Sequence, residues 1–242
     1  MELPYIGITG FTTLDQVSIL MDTWLTHKKE TKALFMMGFL VSYKSFHHMQ
    51  QNSEFCKKEE TLLQMLKNCQ DKSILRTIHY NTKCKQFFNE IDSFLAPILN
   101  SSDAIQLNIV DPDPKEITLL HEKYPNLKII LQICEPLLSD LYRLIEYEPC
   151  GCSYYLVDSS RGKGLPFNVP IMASQLSNIR RISSQIQLGL AGGILPESIH
   201  SYAKLWPEYS FDIQSGIRTN NKFSIPKAQQ YLLNYLLSKE EK

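Results

Sequence analysis

The sequence predicts an α/β fold, a single (β/α)8 barrel with a parallel eight-stranded sheet spanning residues 1–242. Short apolar runs alternate with amphipathic stretches from end to end, which is the pattern of βα units around a parallel sheet. Eight such pairs follow one another without a linker, and a chain of this length commonly fills one barrel undivided. An open doubly wound sheet is the competing architecture. Its usual early GxGxxG turn is missing, because Gly7-Ile-Thr-Gly10 lacks the third glycine.

Each unit has its own justification. Strand one is Tyr5 to Thr9, and Thr13-Leu-Asp-Gln16 reads as a capping box opening a helix with Val17, Leu20, Trp24 and Leu25 on its apolar face. Strand two, Ala33 to Leu40, is the continuous apolar run expected of a strand buried on both faces. A polar and aromatic loop, Val41 to Ser53, precedes a helix marked by Leu62, Leu63, Met65, Leu66 and Cys69. Strand three is Ile74 to Tyr80, followed by a helix carrying Phe87, Phe88, Ile91, Phe94 and Leu95. Strand four is Ala104 to Val110, and Asp111-Pro-Asp-Pro114 suits the start of the next helix. Strand five is Lys128 to Ile133, with a helix expected over Leu138, Leu141, Leu144 and Ile145. Strand six is Ser153 to Val157, ending in Asp158. A glycine-bearing loop, Ser159 to Asn168, leads to a helix around Ile171 to Ile182. Strand seven is Ile186 to Ala191, a helix is expected from Pro196, and strand eight is Ser210 to Gln214. The last helix begins at Ser224 and turns Ala228, Tyr231, Leu232, Tyr235 and Leu236 inward.

Composition narrows the function. Basic and acidic residues balance at 25 each, so the totals show no footprint for a nucleic acid partner. The N-terminus has an early acid and no basic n-region, and the longest apolar run, Ala33 to Val41, is too short to span a bilayer. A soluble, cytoplasmic protein without a membrane partner is expected. Six scattered cysteines suit a reducing compartment, and Cys150-Gly-Cys152, the only close pair, has no second pair or nearby histidine to make a metal site. No metal and no cofactor are expected.

In a barrel of this kind the chemistry sits at the C-terminal ends of the strands. The residues there are Ile6, Ile8 and Thr9, Gly38, His79 or Tyr80 with Asn81, Gln106 and Asn108, Gln132, and Asp158. The last two strands add Gly192-Gly193 and Ser215-Gly216, small-residue turns whose backbone N–H groups can surround an anion, as the loops after strands seven and eight usually do. Asp158 is the only carboxylate in that set. At the mouth of a largely apolar barrel it is placed to hold a proton and give it up at neutral pH.

These segments resemble those of the phosphoribosylanthranilate isomerase family, a TIM barrel of tryptophan biosynthesis that carries out an Amadori rearrangement. IGIT at Ile6 to Thr9 lies beside the family's CGIT, and IQLN at Ile105 to Asn108 beside VQLHG. YYLVD at Tyr154 to Asp158 lies beside FLLD, and GKGLPFN at Gly162 to Asn168 beside GTGKTFD. LAGGILPESI at Leu190 to Ile199 lies beside LSGGLTPENV, and FDIQSGIR at Phe211 to Arg218 beside VDVSSGVE. The resemblance implies that Asp158 is the catalytic acid. It implies that Gly192, Gly193, Ser215 and Gly216 bind the phosphate, with Gly162 and Gly164 in the loop beside them. His47 falls near the arginine that meets the anthranilate carboxylate. The family's general base, the cysteine of CGIT, falls on Ile6, and its loop lysine on Leu165.

Three readings follow. The first is an isomerase-like enzyme binding a phosphorylated sugar as a monomer or homodimer, with Cys134 the only thiol near a strand's C-terminal end that could stand in for the base. The second is a noncatalytic barrel that keeps the pocket as a ligand sensor, or only the fold as an interaction scaffold. A third, a Schiff-base lyase or aldolase, wants a lysine at a strand's C-terminal end. Lys128 opens its strand at the other one.

Overall fold

The computed structural model describes residues 2–28, 31–46, 55–158, 169–205 and 208–237. Eight parallel strands close on themselves in chain order: β1 Tyr5–Thr9, β2 Leu34–Val41, β3 Ile74–Asn81, β4 Ala104–Asn108, β5 Lys128–Ile133, β6 Cys152–Asp158, β7 Gln187–Ala191 and β8 Ser210–Ile213. The seam is the pairing of β8 with β1, Ile6 against Phe211 and Ile8 against Ile213. All eight expected strands are present, with ends displaced by a residue or two.

The strands are apolar on both faces because each face meets a different core. Tyr5, Met36, Leu75, Ala104, Ile130, Tyr154, Leu156 and Ala191 form a separate cluster, with Leu34 packed against it, that fills the barrel interior. Ile6, Ile8, Phe35, Met37 and Phe39 belong to the larger cluster shared with the surrounding helices. The alternation of the strand sends Tyr5, Gly7 and Thr9 inward and Ile6 and Ile8 outward.

The helices are α1 Leu14–His27, α2 Tyr43–Phe46, α3 Glu59–Asn68, α4 Phe87–Leu99, α5 Pro114–Lys123, α6 Val169–Ile182 and α7 Ile225–Leu237. Local sequence sets their ends. Thr13 accepts from the Gln16 N–H at 3.3 Å while the Gln16 side chain accepts from the Thr13 N–H, which completes the expected capping box. Asp113 caps α5 by accepting from the Lys115 N–H, with Pro114 in the first turn, where its missing donor costs nothing. On α1, Trp24 is fully buried, donates to Ser73 Oγ at 3.0 Å and packs on Phe35. Burial of a side chain this large contributes on the order of 2–3 kcal/mol.

Two expected helices are replaced. After β5 the chain forms 3₁₀ turns at Leu141–Glu146 and Glu148–Cys150. Leu138, Leu141 and Leu144 recur every three residues, which is the period of a 3₁₀ helix, and Pro149 with a left-handed Gly151 (φ 79°) stops any longer one. After β7 a 3₁₀ helix covers Ile199–Leu205 in place of the helix expected from Pro196. An unexpected hairpin, β9 Arg218–Thr219 with β10 Lys222–Phe223, separates β8 from α7.

The turns after β7 and β8 are pressed together. A Cβ on Gly216 would stand 2.1 Å from the carbonyl oxygen of Ile194, so only glycine fits between the two loops. Gly216→Ala is therefore expected to lower the stability of the folded chain by about 1–3 kcal/mol, read as a reduced urea midpoint.

Candidate active site

A cavity of about 700 Å³ opens at the C-terminal end of the barrel, with Asp158, Asp212, Gln132 and Asn108 in its wall and Gly192, Gly193 and Ser215 to one side. Strand register places two of these carboxylates at one level. Asp158 on β6 is opposite Ala191 on β7, and Ala191 is opposite Asp212 on β8. Two strand spacings set their Cα atoms roughly 10 Å apart, and the small Ala191 leaves the space between them open.

Asp158 is buried and accepts from the Gln132 amide at 2.9 Å. Gln106 donates to Asn108 at 2.9 Å, so the amide side chains of β4 are also held in place. Asp212 is likewise buried, and its Oδ1 accepts from the Thr9 hydroxyl at 2.9 Å. The same Thr9 oxygen lies 3.1 Å from His79 Nε2. This bond spans β2 because Gly38 lies beneath it: a Cβ there would come within 2.5 Å of Thr9 Oγ1 and 2.9 Å of His79 Nε2. A hydroxyl has one proton. When Asp212 is ionised and receives it, Thr9 accepts from His79, which fixes the proton of the neutral imidazole on Nε2.

Burial dominates the electrostatics. Desolvation pushes the Asp212 carboxyl from the usual 3.8 up to about 7; the Thr9 hydrogen bond opposes the rise, and the charge of Asp158 adds to it. Desolvation also lowers His79 to about 3, so the ring stays neutral at physiological pH. A carboxyl that titrates near neutrality inside a cavity can both take and return a proton.

The structure corrects the reading of strand one. Ile6, expected at the active end of strand one and matched to the family's cysteine, packs in the cluster shared with the helices and is not among the cavity-lining residues. The inward residues are Gly7, which lies against Met36 and Asp212, and Thr9. Asp158 is also not the only carboxylate at the strand ends, since Asp212 shares its cavity and Glu135 lines it as well. The signal for Asp212 was an acid in the middle of an apolar strand, Phe211-Asp-Ile213, two residues from the inward Ser210. Gly192, Gly193 and Ser215 line the cavity, and the two glycines adopt positive φ (87° and 66°). Gly216 lies behind Ser215 against Ile194. Cys134 lines the cavity too. His47, Gly162 and Gly164 lie outside the described residues. Among the described residues no group of three or more His, Cys, Asp or Glu is placed to hold a metal, and no helix is long and apolar enough to cross a membrane.

Comparison with known proteins places this architecture. The family model described as N-(5'-phosphoribosyl)anthranilate (PRA) isomerase matches residues 50–230. The chain belongs to that family. The N-(5'-phosphoribosyl)anthranilate isomerase of Methanoregula boonei is 22% identical over 146 residues, covering 57% of this chain and 68% of its own. The fold is similar to that of phosphoribosyl anthranilate isomerase from Thermus thermophilus, with a TM-score of 0.67 at 15% identity, over 96% of this chain and 98% of that one. It is similar at a TM-score of 0.64 and 15% identity, with the same coverage, to a phosphoribosyl anthranilate isomerase in complex with reduced 1-(o-carboxyphenylamino)-1-deoxyribulose 5-phosphate.

The position of Asp212 has a measurable cost. Between about pH 4 and pH 7 the folded chain holds a proton that the unfolded chain has released, so Asp212 takes away stability as pH rises through this window and the loss levels off above it. Asp212→Asn keeps an oxygen for Thr9 and removes the titration. Its stability relative to wild type, from urea unfolding, should increase between pH 4 and pH 8 by an amount on the order of 4 kcal/mol. A pH-independent difference would show that Asp212 titrates normally.

Proposed function

We propose that the chain is an aldose–ketose isomerase for a phosphorylated N-glycosyl amine of ribose, with the phosphate on the backbone N–H groups of Gly192, Gly193, Ser215 and Gly216. The observation that carries this reading is the pair Asp158 and Asp212 facing one cavity across Ala191. An Amadori rearrangement needs one group to give a proton and another to take one. In the reactive form the one proton of the pair is on Asp158 and Asp212 is the carboxylate; Asp158, the acid by family correspondence, delivers that proton to the ribose ring oxygen as the amine lone pair forms C1=N and the C1–O bond breaks. Asp212, as carboxylate, takes the proton from C2. The C–H electrons become the C1=C2 bond and the iminium electrons return to nitrogen. Asp158, now a carboxylate, takes the enol O–H proton and Asp212 returns its proton to C1, which gives the 1-amino-1-deoxyketose and restores both carboxyls.

Asp212 suits the second role for physical reasons. A carboxylate raised to about 7 is a stronger base than an ordinary one, and Thr9 occupies its Oδ1, leaving Oδ2 for substrate. Because Ile6 points away from the cavity, an isoleucine there does not by itself argue against turnover.

The test is loss of phosphoribosylanthranilate fluorescence with wild type, Asp158→Asn, Asp212→Asn and Cys134→Ser. Turnover by wild type and a loss of about 10²- to 10⁴-fold in each aspartate variant are expected. Asp158→Asn should leave affinity for a phosphate ester intact. A comparable loss in Cys134→Ser, with Asp212→Asn active, assigns the base to the thiol instead. Folded wild-type protein that binds phosphate esters without turnover makes the chain a noncatalytic ligand-binding barrel.

A further inference from the structure

Arg218 begins the hairpin two residues beyond Gly216. Its N–H donates to the Ser215 carbonyl, and its own carbonyl accepts from Lys227 Nζ at 3.0 Å. Asn220 and Asn221, both at positive φ (51° and 58°), make the two-residue turn, which matches the twist of so short a hairpin. Phe223 packs on Phe11 with ring centroids 5.1 Å apart, anchoring the second strand to the barrel. The hairpin thereby fixes where the arginine stands. Its guanidinium lies over the end of β1, where a Cβ on Gly10 would be 2.5 Å from Nη2. Its Nε and Nη2 are buried there, and Arg218 is among the residues lining the same cavity as Gly192, Gly193 and Ser215.

The charges of that cavity give the arginine a purpose. Among the described lining residues Arg218 is the one cation, against Glu135, Asp158 and Asp212. Backbone N–H groups bring only partial charges to a phosphate dianion that must enter beside those acids. A guanidinium brings a full charge and a planar fork of donors that matches phosphate oxygens. In the family segment VDVSSGVE, quoted above beside FDIQSGIR, the matching position is a glutamate, so this chain has reversed the charge.

We propose that the Arg218 guanidinium binds the phosphate group of the ligand, completing with a side chain the subsite framed by the Gly192-Gly193 and Ser215-Gly216 turns. This rests on the reading of the cavity as a phosphosugar site. Calorimetric titration with ribose 5-phosphate, inorganic phosphate and ribose tests it on wild type, Arg218→Met and Arg218→Lys, each checked by circular dichroism, at two salt concentrations. Arg218→Met is expected to weaken both phosphate compounds by about 10- to 100-fold and to flatten their salt dependence. Ribose is unaffected, and Arg218→Lys, which keeps the charge and loses the fork, falls between. If Arg218→Met does not fold, wild-type affinity in Arg218→Lys overturns the proposal. Folded Arg218→Met with wild-type phosphate affinity overturns it while the phosphosugar reading stands. Wild-type protein that binds neither phosphate compound overturns both.

Discussion

The hydrogen bond from Thr9 to Asp212 crosses the seam where the barrel closes, joining side chains 203 residues apart in sequence. It depends on closure, because β1 and β8 become neighbours only when the sheet is complete. It also depends on missing side chains. Gly7 leaves space for the Asp212 carboxyl and Gly38 leaves space for His79 to reach Thr9, so the inner wall is polar where two of its strands have given up a side chain. Water is displaced from all three polar groups, and this desolvation moves Asp212 and His79 away from their usual titration. One packing arrangement thus sets the geometry and the acidity of the site together.

Much of the fold was legible because local and global signals agree. Apolar runs buried on two faces gave the strands, and Thr13 with Gln16, and Asp113 with Pro114, marked helix starts that the structure keeps. The connections after β5 and β7 were harder. Their apolar residues were read with a helical period, yet leucines three apart and Pro149 suit 3₁₀ turns. The hairpin after β8 was hidden because two-residue strands have too few positions to show any alternation.

The site was legible at the level of strand ends and illegible at the level of faces. A motif match placed the family's cysteine on Ile6, but a one-residue difference in register turns a side chain from the core of the barrel to the helix layer. Tyr5, Gly7 and Thr9 alternate with Ile6 and Ile8, and nothing in a strand buried on both sides says which set faces in. Asp212 was overlooked for the same reason. Between Phe211 and Ile213 it reads as part of a core strand, and only closure shows that its neighbours across the seam are Gly7 and Thr9.

Electrostatics ties the two halves of the cavity together. Burial already raises the Asp212 carboxyl, and a phosphate dianion bound in the same cavity, as proposed, would push in the same direction. Unopposed, that push would keep Asp212 protonated and unable to accept a proton when substrate is present. A cation on the phosphate side cancels much of the field before it reaches Asp212, since opposite charges side by side act at a distance only as a dipole. On the proposed phosphosugar reading Arg218 and Asp212 would act together: a base supplied by burial within the barrel would work at neutral pH only if the anion sharing its cavity were bound at a site with its own positive charge.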